Sequence, residues 1–174
     1  MSRKTIRFGL NAKDINRAIR EVNEFKQEFK GKVDTYRKRI AEEVAVNAST
    51  LFDNSTMDDV IQGSPRKPEV VVSVDNRGDI AVVVANGEDA VWCEFGAGIY
   101  HNGSAGSSPN PYGTELGLTI GSYGKGHGKQ SAWGYYDENG DLVITRGTPA
   151  SMPMYNSAQT VAQKAVQIAK EVFG

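Results

Sequence analysis

The chain contains a single cysteine, Cys93. No disulfide can form within it, and its cysteine usage gives no sign of an oxidising compartment. A basic excess is also missing: 20 Lys and Arg stand against 21 Asp and Glu, for a net charge of −1. Dedicated nucleic-acid-binding domains draw affinity from phosphate neutralisation and carry a clear surplus of basic groups, so nothing global favours that partner. Long apolar runs are absent; the longest lies around Ile80–Ala85, far below the roughly 20 residues that span a bilayer. The charged start, Met1-Ser2-Arg3-Lys4-Thr5, is not followed by the apolar core of a secretory signal. These absences predict a soluble protein with no membrane partner, kept in a cytoplasm or in a particle assembled there.

What remains is ordinary in bulk and unusual in one respect. A chain of 174 residues has the usual size of one domain. Its 39% hydrophobic and 24% charged content argues against both disorder and a fibrous repeat. Glycine is the exception, with 19 copies against a usual share of about 7%. Ten of the 19 fall in the 33 residues 96–128, together with Ser104, Ser107, Ser108, Pro109 and Pro111. No apolar period is sustained there. A stretch that long without structure of its own reads as a mobile glycine-rich loop.

Around it the periodicities predict an α+β domain. Ile6, Phe8 and Leu10 alternate with polar or small residues, which suits a short strand. Asn11 and Asp14 then resemble a helix cap. Apolar residues recur every three or four positions at Ile15, Ile19, Val22, Phe25, Phe29, Val33, Tyr36, Ile40, Val44, Ala48 and Leu51. That spacing predicts one long amphipathic helix over 11–53. Such a helix is roughly 60 Å long, whereas a domain of this size is only about 40 Å across. Either the helix breaks near Gly31 and folds back, or its overhanging half packs on a neighbouring subunit.

Residues 54–68 read as a connector. Val70–Val74, Ile80–Ala85 and Ala90–Phe95 read as a β-meander over 69–95. A hairpin follows over 131–146 with Asn139-Gly140 at its tip, and a helix over 153–173 with Pro153 in its first turn. Together these predict an antiparallel sheet of four to five strands, packed by the long N-terminal helix and the C-terminal helix.

No assembled chemical site is legible. Around Gly128-Lys129 a P-loop would need glycine at Tyr123 and a hydroxyl at Gln130. Gly96-Ala97-Gly98-Ile99-Tyr100-His101 has His101 where a dinucleotide fingerprint needs a small residue. His101 and His127 are 26 positions apart, so with Cys93 and Glu94 they lack metal-ligand spacing, and no bound metal or cofactor is expected. Cys93 reads as a small buried hydrophobe. Arg77-Gly78-Asp79 reads as a turn between strands, and Tyr36-Arg37-Lys38-Arg39 as a solvated helix face balanced by Glu42 and Glu43.

One stretch resembles a known family. Ala90-Val91-Trp92-Cys93-Glu94-Phe95-Gly96-Ala97-Gly98 is similar to the aromatic-x-Glu-Phe-Gly-Thr-Gly signature of the minor tail component family of long-tailed bacteriophages. These are head–tail joining, tail-completion or neck proteins. The aromatic Trp133-Gly134-Tyr135-Tyr136 resembles the hairpin that follows the family's glycine-rich insertion. Gly147–Ala158 resembles the stretch that opens its last helix. Ala97 departs from the usual Thr, and Met152-Pro153-Met154 from an Arg-Pro-Phe type sequence.

The resemblance implies a structural virion protein and no catalysis: a homo-oligomeric ring of six between the portal or connector and the tail tube. DNA would pass such a ring without sequence-specific binding. A tail-tube terminator of a capsid-less contractile particle is compatible with the same features. The contact residues this suggests are Phe25, Phe29, Tyr36 and Ile40 on the helix, Glu94 and Phe95 in the signature, and Tyr100, Tyr112, Tyr123 and Trp133 beyond it. Glu94 reads either as a carboxylate accepting from backbone N–H groups of the following turn or as an exposed edge charge. The competing classes are a small hydrolase using His101 or His127 with Glu94, and a DNA-binding module using Arg37, Lys38 and Arg39.

Overall fold

A computed structural model describes residues 5–98, 109–113, 115–116 and 132–174. Helix α1 spans Ala12–Asn54, 43 residues and about 65 Å at the usual rise. Asn11 caps it, its side chain accepting from the Asp14 N–H at 2.9 Å, which satisfies one of the orphan donors of the first turn. The helix passes through Gly31 without a break, so it does not fold back there. The residues before it, 5–10, form no strand. Phe8 instead lies beside Ile15, Ala18, Ile19 and Val22 on the helix face, where it covers apolar surface that a free strand would leave wet.

The fold is α+β, but it holds no four- or five-stranded sheet. Among the described residues there are two separate two-stranded antiparallel sheets. Strands β1 (Val71–Arg77) and β2 (Ile80–Asn86) pair from Val71↔Asn86 to Arg77↔Ile80 and lie against α1. Strands β3 (Trp133–Tyr136) and β4 (Leu142–Thr145) pair from Trp133↔Thr145 to Tyr136↔Leu142.

The expected third strand of the meander is a helix, α2, spanning Asp89–Phe95. Gly87 turns the chain out of the hairpin at φ 137°. After it the buried positions fall at Asp89 and Cys93, four apart, which is helical spacing. A short apolar run such as Ala90–Cys93 fits either structure until its neighbours decide.

Helix α3, Pro153–Phe173, runs antiparallel to α1. The Tyr36 hydroxyl donates to the Ala165 carbonyl at 3.3 Å, Arg39 meets Glu171 at 2.5 Å, and Phe173 packs on Tyr36 and Phe29 with ring centroids 5.9 and 5.8 Å apart. The core gathers Phe52, Met57 and Cys93, with Val70, Val72, Ala85, Ala90, Trp92 and Met154 packed around them. α3 reaches α1 only as far as Phe29. Toward the amino end from there, Ile15, Ile19, Val22 and Phe25 stay about half exposed.

Candidate functional site

Short α2 is the point where the rest of the chain is tied together. Its last turn carries Glu94, which is buried and not an edge charge. One carboxylate oxygen, Oε2, accepts the Met154 N–H at 2.9 Å. The other, Oε1, accepts the Tyr155 N–H at 3.0 Å and the Asn110 side-chain amide at 2.7 Å. The bonded N–H groups are therefore those of α3, not those of the turn following Glu94.

The sequence of α3 explains why it needs an outside partner. Its cap position is Met152, in the left-handed region at φ 52°, with no side-chain cap bond. Pro153 at the next position has no N–H to offer. Met154 and Tyr155 therefore carry the first orphan donors, which sit at the positive end of the helix dipole. Glu94 supplies the carboxylate that the local sequence lacks. Burial pushes its carboxyl up from the ordinary glutamate range, against the pull of the three donors.

Further bonds fasten the same junction. The Cys93 carbonyl accepts the N–H groups of Ser151 and Met152 at 2.9 and 3.2 Å, and the Ala97 N–H donates to the Thr148 carbonyl at 2.9 Å. Ser55 and Ser151 share a hydroxyl contact at 2.7 Å. Residues 90–98 and 147–158, far apart in the sequence, thus form one packed unit. Asn110 reaches it from the other side, its side-chain carbonyl accepting the Tyr112 N–H at 3.0 Å. Tyr112 then sits edge-on to Tyr155 at 6.1 Å, half exposed over the end of α3.

The opposite end of α2 is held by Asp89. Its two oxygens take both terminal nitrogens of Arg66 at 2.6 and 2.8 Å, a bidentate fork, and one of them also accepts the Glu69 N–H at 2.8 Å. The Arg66 Nε extends the chain to Asp58 at 3.0 Å, which accepts from the Tyr135 hydroxyl at 2.9 Å. The hydrogen-bonded Arg66 holds the Asp89 carboxyl below its usual range despite burial, and the two aspartates hold Arg66 protonated. Burial first, then Asp58, pushes the Tyr135 phenol up.

A pH dependence follows from the sign of the Asp89 shift. A depressed carboxyl contributes stability that is complete above its unfolded value, near pH 4, and lost as pH falls through the folded value. Glu94, shifted up, acts in the opposite sense: its share declines as pH rises from the ordinary glutamate range. Asp89→Asn is therefore expected to flatten the acid limb of a melting-temperature profile and to lose about 1 kcal/mol at neutral pH, a modest figure because Arg66 is partly solvated. An unchanged acid limb would show that Asp89 contributes nothing there.

The other predicted residues distribute as follows. Phe25 and Phe29 stack at 6.3 Å on the exposed stripe. Tyr36 is taken up by α3, Ile40 is half-buried, and Phe95 is half-buried at the end of α2. Trp133 opens β3. Tyr100, Tyr123, His101 and His127 lie outside the described residues, as does most of the expected loop 96–128.

The basic cluster is matched by acids. Arg37 and Lys38 pair with Asp34, and Arg39 with Glu43 and Glu171. Arg77-Gly78-Asp79 is the β1–β2 turn, with Arg77 on Asp75 at 2.6 Å. Burial pushes the Cys93 thiol up to about 12, so it is a packed thiol and not a nucleophile. Among the described residues no group of three His, Cys, Asp or Glu could hold a metal ion, and no helix is long and apolar enough to cross a membrane.

Sequence reading missed the Asp58–Arg66–Asp89–Tyr135 network and the role of Asn110. Their partners are far apart in the chain, and no local spacing marks them. No protein-family model, curated protein or solved structure matches the chain.

Proposed function

We propose that the chain is a structural subunit of a tailed phage particle, a tail-completion or neck protein that forms a ring of about six copies, the closed cyclic form that repeated head-to-tail contacts allow. The ring would join the portal-side connector to the tail tube. The observation that carries the assembly part of this reading is the amino-terminal half of α1: an apolar stripe whose large side chains stay about half exposed. The particle and its neck come from the family likeness, whose signature residues have a physical reason to occur together. Glu94 caps α3, and Gly96 lies where an added Cβ would come 3.1 Å from the Ala150 Cβ, so the Glu-Phe-Gly run locks α2 to the start of α3.

Both Glu94 oxygens accept hydrogen bonds from buried or helical donors. That arrangement suits a fastening better than a base awaiting substrate.

Immunogold electron microscopy of intact particles tests the proposal. Label at the neck is the expected result. Label absent from particles, or confined to the capsid shell or fibres, would overturn it.

A further inference from the structure

The stripe on α1 has a register. Ile15, Val22 and Phe29 fall seven apart, with Ala18 and Phe25 between them, the a and d positions of a heptad. Phe8 and Leu10 extend the surface at its amino end, and Ile19 and Val33 widen it. Besides the buried Ala18, these eight larger side chains are each between 40% and 94% exposed. At roughly 200 Å² for each of the three aromatic side chains and less for the five aliphatic ones, they present roughly 600–700 Å² of apolar area. That lies at or above the roughly 300–600 Å² of the largest patch on a typical monomer and approaches the roughly 800 Å² per partner of a standard interface.

The flanks of the stripe differ in sign. On one side lie Asp14, Glu21 and Glu28, again seven apart; on the other lie Lys26 and Lys30. Arg17 makes surface contacts to Asp14 at 3.3 Å and to Glu21 at 3.9 Å, and Lys32 one to Glu28 at 3.6 Å. Lys26 makes no close ion pair among the described residues, and Lys30 acts on Asp34 only at longer range.

We infer that the amino-terminal half of α1 packs side by side, parallel and head-to-tail, on the same segment of a second copy of this chain, the acidic flank of one copy meeting the basic flank of the next. Glu21 then faces Lys26 of the neighbour, the five-residue offset of flanking charges in parallel helices. An antiparallel two-fold pair would set Asp14, Glu21 and Glu28 against themselves, which like-charge repulsion disfavours. A head-to-tail contact also leaves both flanks of every copy engaged, as a closed ring requires. The inference rests on the reading of the chain as a ring subunit and names the surface that builds the ring.

Sedimentation equilibrium of the full chain at low salt tests it with Glu21→Lys, Lys26→Glu and their combinations. Each single variant should associate at least fivefold more weakly than the wild type. The double variant should recover wild-type association, and so should an equimolar mixture of the two single variants, in which every contact is again opposite in sign. High salt should erase the differences. Circular dichroism shows that the variants remain helical, since the charges lie on the surface.

If Lys26→Glu is silent while Glu21→Lys strengthens association with the wild type, the pairing is antiparallel and the inference is wrong. If all variants associate like the wild type, the contact lies elsewhere, while neck labelling of particles would leave the functional reading standing. A wild-type chain that stays monomeric at its highest soluble concentration overturns the contact outright.

Discussion

Replacing Glu94 by alanine lowers the melting temperature by roughly 5–15 °C, the shift expected in a chain of this size for a loss of about 2–4 kcal/mol. The carboxylate accepts from two α3 backbone N–H groups and from Asn110, with donor distances of 2.7–3.0 Å. Nothing nearby can replace it: Met152 has no capping side chain and Pro153 no N–H, so alanine leaves two helix-end donors unpaired and takes one acceptor from the buried Asn110 amide. Glutamine recovers only part of the loss, because its amino group faces a donor where the carboxylate offered an oxygen. Differential scanning calorimetry of the three forms reads the effect. Equal melting temperatures for the wild type and Glu94→Ala would show that the capping bonds contribute nothing to the fold.

Gly147→Ala should be at least as damaging, at roughly 3–5 kcal/mol, from a backbone conformation closed to side chains and a clash with main-chain atoms. Gly147 has φ 113°, and an added Cβ would be driven into the Ala97 carbonyl oxygen and to 2.7 and 2.9 Å from the Ala97 carbonyl carbon and the Gly98 Cα. Those are backbone atoms of the segment that Glu94 anchors, so relief requires the 90–98 and 147–158 stretches to part. The same substitution at Gly31 supplies the contrast. It lies inside α1 with nothing within 4 Å of its Cβ site, so Gly31→Ala should stabilise by up to about 1 kcal/mol. Urea denaturation of both variants separates the cases; a Gly147→Ala midpoint equal to the wild type would refute the close approach.

Local periodicity made α1, α3 and the late hairpin legible. The three-to-four spacing from Ile15 to Leu51 anticipates α1, and Asn139-Gly140 anticipates the β3–β4 turn. It failed where a segment was short and apolar. Ala90–Phe95 reads as a third strand until Gly87 turns the chain away, and Asp89 at the first turn was the available hint of a helix start. The expected sheet of four to five strands rested on that third strand; with Asp89–Phe95 helical, the two hairpins remain as separate two-stranded sheets. Glu94 stood out in the sequence through the company of Phe95 and Gly96, but its partners did not: Met154 and Tyr155 lie about 60 residues on, and their need for a carboxylate follows from Pro153 and the left-handed Met152. The Arg66–Asp89 fork is long-range in the same way.

On the proposed reading, the amino-terminal half of α1 overhangs its domain to meet another copy. The association state of the wild-type chain in solution, followed by light scattering across a dilution series, tests that most directly. Concentration-dependent growth from the 18.9 kDa subunit to a discrete closed species of several copies is the predicted result. A single 18.9 kDa species at every concentration would contradict it.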